Sequence, residues 1–225
     1  MDLYIAEPEV SPKAAIIVLQ EAFGITEYLR GVTDALAKEG YLAIAPQLFH
    51  RHELSVFGYD QYSELLAVLG SMTAEEITED LKATFAELAK RGFAASSIGA
   101  LGFCMGGSIA LYAGTQGKLG AAVSFYGGGV VQGRFGLPSL VDLAPQLDAP
   151  WLGHYGLLDK GIPLEQVNAL DEARLLAKTE TQLIRYEQAD HGFHCQDRPE
   201  VYNESDAAKA WDETLAFFAA KLIQG

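Results

Sequence analysis

The chain has 225 residues, is 49% hydrophobic, and carries 16 basic against 30 acidic residues, a formal charge of −14. That length can bury a substantial core and suits a single domain over residues 1–225. The negative excess repels nucleic acid and anionic membrane surfaces, so neither is an expected partner.

No apolar run approaches the ~18 residues that span a bilayer. The opening Met1-Asp2-Leu3-Tyr4 lacks the basic region of a signal peptide, and two cysteines are too few for a disulfide scaffold. The expectation is a cytoplasmic protein with free thiols.

In chain order, Ala14-Ala15-Ile16-Ile17-Val18-Leu19 is an unbroken apolar run that suits a strand buried on both faces, as in parallel sheets. It ends in Gln20-Glu21-Ala22-Phe23-Gly24. Leu29, Val32 and Leu36 then line one face of a helix predicted from Glu27 to Lys38, stopped by Glu39-Gly40. Tyr41 to Ala45 reads as a second buried strand, closed by Pro46, and right-handed crossover makes the two strands parallel. Gln47 to Gly58 has no clear period and reads as a loop. Thr73 and Glu76 have the spacing of a capping box for a helix reaching Arg91, with Ile77, Leu81, Phe85 and Leu88 along its apolar face.

Ile98 to Leu101 reads as a short strand and Ser108 to Ala113 as a helix, separated by Gly102-Phe103-Cys104-Met105-Gly106-Gly107. That is the G-x-Nu-x-G spacing of a nucleophile elbow, with cysteine where serine is usual. The flanking glycines follow from sterics, because a Cβ there would meet the neighbouring strand or the start of the helix. Unpaired amides at the helix start favour a thiolate at Cys104 and an oxyanion beside it. The alternative is an inert buried cysteine behind a glycine turn.

Beyond the elbow, Ala121 to Tyr126 reads as a strand ending in Gly127-Gly128-Gly129, and Val130 to Asp148 as a connection over the sheet. Trp151 to Gly156 is a strand followed by Leu157-Leu158-Asp159, with Gly161 and Pro163 opening a helix. Thr181 to Tyr186 is the last strand, running on to Ala189-Asp190-His191-Gly192-Phe193-His194. The apolar stripe Ala210, Trp211, Leu215, Phe218 and Leu222 on a helix from Ala207 to Leu222 is core and not a cofactor site. His50, His52 and His194 have no ligand-spaced partner except Cys195, so no metal is expected.

Ligands of an open parallel sheet bind beyond the carboxyl ends of its strands. Glu21, Cys104, Asp159 and His191 each follow a different predicted strand, and nucleophile, acid, histidine is the chain order of α/β-hydrolase triads. Singly, Asp159 also suits a helix cap before Pro163, Glu21 a surface turn, and His191 the end of a strand.

Gln20-Glu21-Ala22-Phe23-Gly24, the Gly102 to Gly107 elbow, the turn around Asp159 and His191-Gly192-Phe193 together resemble the dienelactone hydrolase family, over nearly the whole chain. The resemblance implies a three-layer α/β-hydrolase fold with a mostly parallel central sheet and helices on both faces. It implies a Cys104, His191 and Asp159 triad, Glu21 as a further acid near the thiol, and the backbone amides of Met105 and Ala22 as oxyanion hole. The expected reaction is hydrolysis of a small ester or lactone through an acyl-cysteine, without a cofactor, by a monomer or homodimer. Phe23, Phe193 and Arg198 are the candidate substrate contacts. Well-characterised members bind the lactone carboxylate with one arginine soon after the histidine and another before the elbow helix. Here Arg198 is the nearest after His191, and none lies between Tyr59 and Leu88. No apolar lid for a long acyl chain is recognisable, which predicts small substrates. Two other classes stay open: a non-catalytic binding protein on this fold, and a thiol redox enzyme in which Cys195 resolves oxidised Cys104, requiring Cα atoms within ~7 Å.

Overall fold

A computed structural model describes residues 1–222, with Tyr62 described by its backbone only; residues 223–225 of the expected domain lie outside the described residues. The strands are β1 (Leu3–Ala6), β2 (Ala15–Leu19), β3 (Leu42–Pro46), β4 (Ile98–Phe103), β5 (Ala121–Phe125), β6 (Trp151–Gly156) and β7 (Thr181–Tyr186). They form one sheet in the order β1-β3-β2-β4-β5-β6-β7. Every pairing is parallel except β1 with β3. The helices are α1 (Glu27–Lys38), α2 (Tyr62–Ser71), α3 (Ala74–Lys90), α4 (Met105–Ala113), the single turn α5 (Leu140–Leu143), α6 (Leu164–Arg174) and α7 (Glu204–Lys221). None is long and apolar enough to cross a membrane.

Alternation along β2 builds the three layers, because successive side chains of a strand point to opposite faces. Ile16 and Val18 pack with Leu29 of α1 and Phe218 of α7. Ile17 and Leu19 pack with Ile77 and Leu81 of α3 and Ile109 of α4. All five residues of β2 are buried, which explains why its sequence shows no alternation of its own. Two caps fix where the flanking helices enter. The Thr26 hydroxyl accepts from the Leu29 amide, and Thr73 and Glu76 form a reciprocal capping box, each cap contributing ~1 kcal/mol.

Five features depart from the sequence reading. β1 adds an antiparallel edge strand, α2 occupies a stretch to which no element was assigned, α5 forms one turn inside the expected connection, and α4 starts at Met105, three residues before Ser108. β5 ends at Phe125, so Tyr126 is outside the strand and has a left-handed φ of 39°.

Candidate active site

β2, β4, β5, β6 and β7 lie side by side and parallel, so the residues that follow them fall along one rim in the order Glu21, Cys104, Tyr126, Asp159, His191. At the centre, Cys104 has φ 53° and ψ −115°, a conformation that glycine favours. A Cβ on Gly102 would lie 1.9 Å from the Gly106 carbonyl oxygen, and one on Gly106 would lie 2.2 Å from that of Leu19. The turn is therefore closed by backbone on both sides, and the strained residue between the glycines is the one whose side chain is presented above the sheet.

His191 Nε2 is 3.1 Å from Cys104 Sγ, and His191 Nδ1 is 2.7 Å from Asp159 Oδ2. Asp159 is only 4% exposed, and its other oxygen accepts from the amides of Gly161 (2.7 Å) and Ile162 (3.1 Å). Those two amides hold the carboxylate in one orientation, and the cap position of α6 is taken by Pro163. Asp190 faces elsewhere: its Oδ1 accepts from the backbone amide of His191 at 2.6 Å. Burial opposes charge on the His191 imidazole, but the Cys104 sulfur and the Asp159 carboxylate outweigh it and hold the ring well above the ordinary histidine range.

Glu21 is not a surface residue, since only 3% of it is exposed. Burial raises its carboxyl above the usual range, opposed by His191, Arg198 and a 3.3 Å hydrogen bond donated by the Tyr126 hydroxyl. The backbone amides of Met105 and Ala22 donate to no acceptor among the described residues.

These groups open into a cavity of about 350 Å³ lined by both charged and apolar side chains. Arg198, Arg134 and Lys160 supply positive charge; Leu65, Leu66 and Leu69 of α2, with Phe135, supply an apolar side. Phe23 lines the cavity, with the Arg198 guanidinium 5.9 Å from its ring. Phe193, a candidate substrate contact from the sequence, is corrected by its burial: it is 0% exposed and packs between Tyr126 and Tyr186, away from the cavity wall. The position directly after a left-handed Gly192 turns its ring into the core.

The second thiol is separate from this arrangement. Cys195 is buried with its Sγ 3.5 Å from the Tyr59 hydroxyl, and burial together with Glu21 pushes the thiol up to about 12, which makes it a poor resolving nucleophile. His50 pairs with Asp80 at 3.0 Å and His194 with Tyr28 at 2.8 Å. Sequence reasoning missed Arg134, Lys160 and α2. Only α2 left a trace, the Leu65, Leu66, Leu69 cluster, whereas nothing local distinguishes Arg134 in its connection.

Residues 1–222 match the dienelactone hydrolase family. A protein of Yersinia pestis named "Putative carboxymethylenebutenolidase" is 36% identical over 220 residues, covering 96% of this chain and 82% of its own length. A Synechocystis protein of the same name is 32% identical over 225 residues, covering 97% and 91%. Among solved structures, the "Putative Dienelactone Hydrolase" of Klebsiella pneumoniae superposes with a TM-score of 0.89 at 33% identity, covering 96% of this chain and 92% of the other.

Proposed function

Because the chain belongs to the dienelactone hydrolase family, we propose that it hydrolyses small esters or lactones through an acyl intermediate on Cys104. The observation that carries this reading is the continuous line from Cys104 Sγ through His191 to Asp159, at 3.1 Å and 2.7 Å, on the floor of a cavity of small-molecule size.

In this reading the Cys104 thiolate, paired with the His191 imidazolium, attacks the acyl carbon. The Met105 and Ala22 amides receive the oxyanion of the tetrahedral intermediate. His191 gives its proton to the departing alkoxide, then takes one from the water that attacks the acyl-cysteine. Collapse returns the thiolate and releases the acid. Asp159 holds the imidazole tautomer throughout. Glu21, a buried carboxylate on the same cavity wall, restrains the thiolate while the site is empty and accepts a proton during turnover. The two free cysteines suit a reducing compartment, and we take the cytoplasm as its place.

The test is acyl-enzyme capture and selective labelling. Iodoacetamide is expected to modify Cys104 before Cys195 and to abolish hydrolysis of 4-nitrophenyl acetate, because Cys104 pairs with an imidazolium and Cys195 is buried with its proton held. Label on Cys195 with activity lost and Cys104 still free would overturn the assignment.

The charged lining bears on substrate choice. The name shared by the relatives denotes action on a lactone with a carboxylate arm, and Arg198 with Arg134 supplies two guanidiniums in the cavity lining where sequence offered one. Replacing both by alanine is expected to raise KM for carboxylate-bearing lactones ~10-fold or more, the scale of a lost charge-assisted hydrogen bond, while a neutral ester is little affected. An equal change for both substrates would mean that the arginines shape the cavity and do not read charge.

A further inference from the structure

The α2 helix brings only apolar side chains to the reaction cavity. Its one charged residue, Glu64, is exposed and lines no part of that cavity. The side chains that α2 does present there are Leu65, Leu66 and Leu69. Helical spacing accounts for two of them. Leu65, Val68, Leu69 and Met72 recur at i, i+3, i+4 and i+7 and pack into the core, so that stripe turns inward whatever the cavity holds. Leu66 stands outside the stripe. It is 62% exposed, belongs to neither core cluster, and lines the same cavity as Cys104. Folding alone gives no reason for a leucine at this position.

Phe135 adds to the apolar lining from a distant part of the chain. Its φ of 58° is a left-handed backbone that a bulky side chain adopts only where the surroundings impose it. The next residue shows what imposes it. Gly136, at φ 74°, runs so close to the start of α3 that a Cβ there would lie 2.6 Å from Thr73 Cα. The connection after β5 is thereby pinned at the junction of α2 and α3, and Phe135 shares one apolar cluster with Leu65 and Leu69. Its neighbour Arg134 also lines the cavity, with the guanidinium 5.2 Å from the Phe135 ring.

We propose that Leu65, Leu66, Leu69 and Phe135 form an apolar subsite for an aliphatic arm of the substrate, about four to six carbons long, carried beside the bond that Cys104 attacks. It rests on the hydrolase reading given above. The occupant follows from continuity: the leucines and Cys104 line one cavity of about 350 Å³, so a group bonded to Cys104 has α2 as part of its enclosure. The length follows from the helix, since Leu65 to Leu69 spans ~6 Å, which an extended alkyl chain of that size matches. Each methylene that replaces water against α2 is expected to raise kcat/KM ~3- to 4-fold, until the arm outgrows the helix. A carboxylate elsewhere on the substrate has Arg198, Arg134 and Lys160 in the same cavity, so the two recognitions coexist. The apolar segment that sequence alone did not reveal at the cavity is α2, and at one short helix it suits a short arm and not a lipid tail.

The test reads kcat/KM along two series. In 4-nitrophenyl acetate, butyrate, hexanoate and octanoate the acyl side grows; in ethyl, butyl, hexyl and octyl acetate the alcohol side grows. Each ester is kept below its solubility limit and its rate divided by that of spontaneous hydrolysis. Wild type is expected to gain ~10-fold or more from the first member to the hexanoyl or hexyl member of at least one series, with no further gain at the octanoyl or octyl member. The series that rises assigns the arm to its side of the ester bond.

Leu66→Gln keeps a good helix former at an exposed position, so its fold is expected to hold, checked by circular dichroism and thermal melting. It is expected to cut the ratio of the hexanoyl or hexyl member to the first member ~3-fold or more. Leu66→Met, which keeps an apolar side chain of similar volume, is expected to preserve that ratio. Both series flat in wild type would overturn the subsite, as would a gain that continues through the octanoyl or octyl member, an unchanged ratio in Leu66→Gln, or an equal loss in Leu66→Gln and Leu66→Met. Should Leu66→Gln fail to fold, Leu66→Ala reads the same ratio. Turnover of neither series would instead refute the hydrolase reading.

Discussion

Asp159→Asn is expected to lower kcat by ~10²–10⁴-fold, the scale for losing the orienting acid of a triad, with the protein still folded. The reason lies in the oxygen that does not touch histidine. Asp159 Oδ1 accepts from two backbone amides, those of Gly161 and Ile162. An asparagine there must keep its single oxygen on those donors, because turning its NH₂ toward them would set donor against donor and leave the two amides unpaired. The NH₂ then faces His191 Nδ1 and forces that nitrogen to accept. The ring proton moves to Nε2, the nitrogen 3.1 Å from Cys104, and the imidazole can no longer take a proton there.

The pH profile carries the same prediction in another form. The Asp159 carboxylate is among the groups that raise His191 against the opposing effect of burial. Its removal lowers the imidazole, so the imidazolium is lost at lower pH and the alkaline limb of kcat/KM moves down in pH. A larger loss in Asp190→Asn than in Asp159→Asn would transfer the role to Asp190, whose present contact is with the His191 amide.

What was legible in the sequence follows from what is local. The strand and helix run from Ala14 to Pro46 was readable because burial on both faces makes an apolar run and because Gly40 ends the helix with a φ of 87°. The elbow was readable because its glycines answer backbone contacts close to 2 Å, which no other residue satisfies. The rim positions of Glu21, Asp159 and His191 followed from a rule about strand ends, and so required only correct strands. β1 escaped because four half-buried residues at a sheet edge show neither a continuous nor an alternating pattern. α2 escaped for a related reason: its Gln61 start lacks a side-chain cap. Arg134 and the contacts of Tyr126 with Glu21 and of Tyr28 with His194 have no local signal at all. The partners in those contacts are 105 and 166 positions apart and meet only once the chain has folded.

Cys104→Ala is expected to abolish turnover, by ~10⁵-fold or more if the thiol is the attacking group, since loss of a nucleophile removes the covalent route entirely. The fold gives this experiment its control. Cys104 sits at φ 53°, ψ −115°, where any Cβ is strained by ~1–3 kcal/mol. Alanine keeps that Cβ, so Cys104→Ala should melt close to wild type and its inactivity cannot be blamed on unfolding. Cys104→Gly removes the Cβ, and the strain with it. Set against the ~0.4–1 kcal/mol that glycine loses through a more disordered unfolded chain, the net gain is ~1 kcal/mol. The inactive glycine variant is thus expected to be more stable than the active protein in urea denaturation, as it would be if the elbow stores strain in order to present its sulfur. A Cys104→Ala variant that keeps a tenth of wild-type kcat/KM would remove the thiol from the chemistry. A Cys104→Gly variant less stable than Cys104→Ala would show that the turn is relaxed around its side chain, and that the left-handed backbone at Cys104 carries no strain for glycine to release.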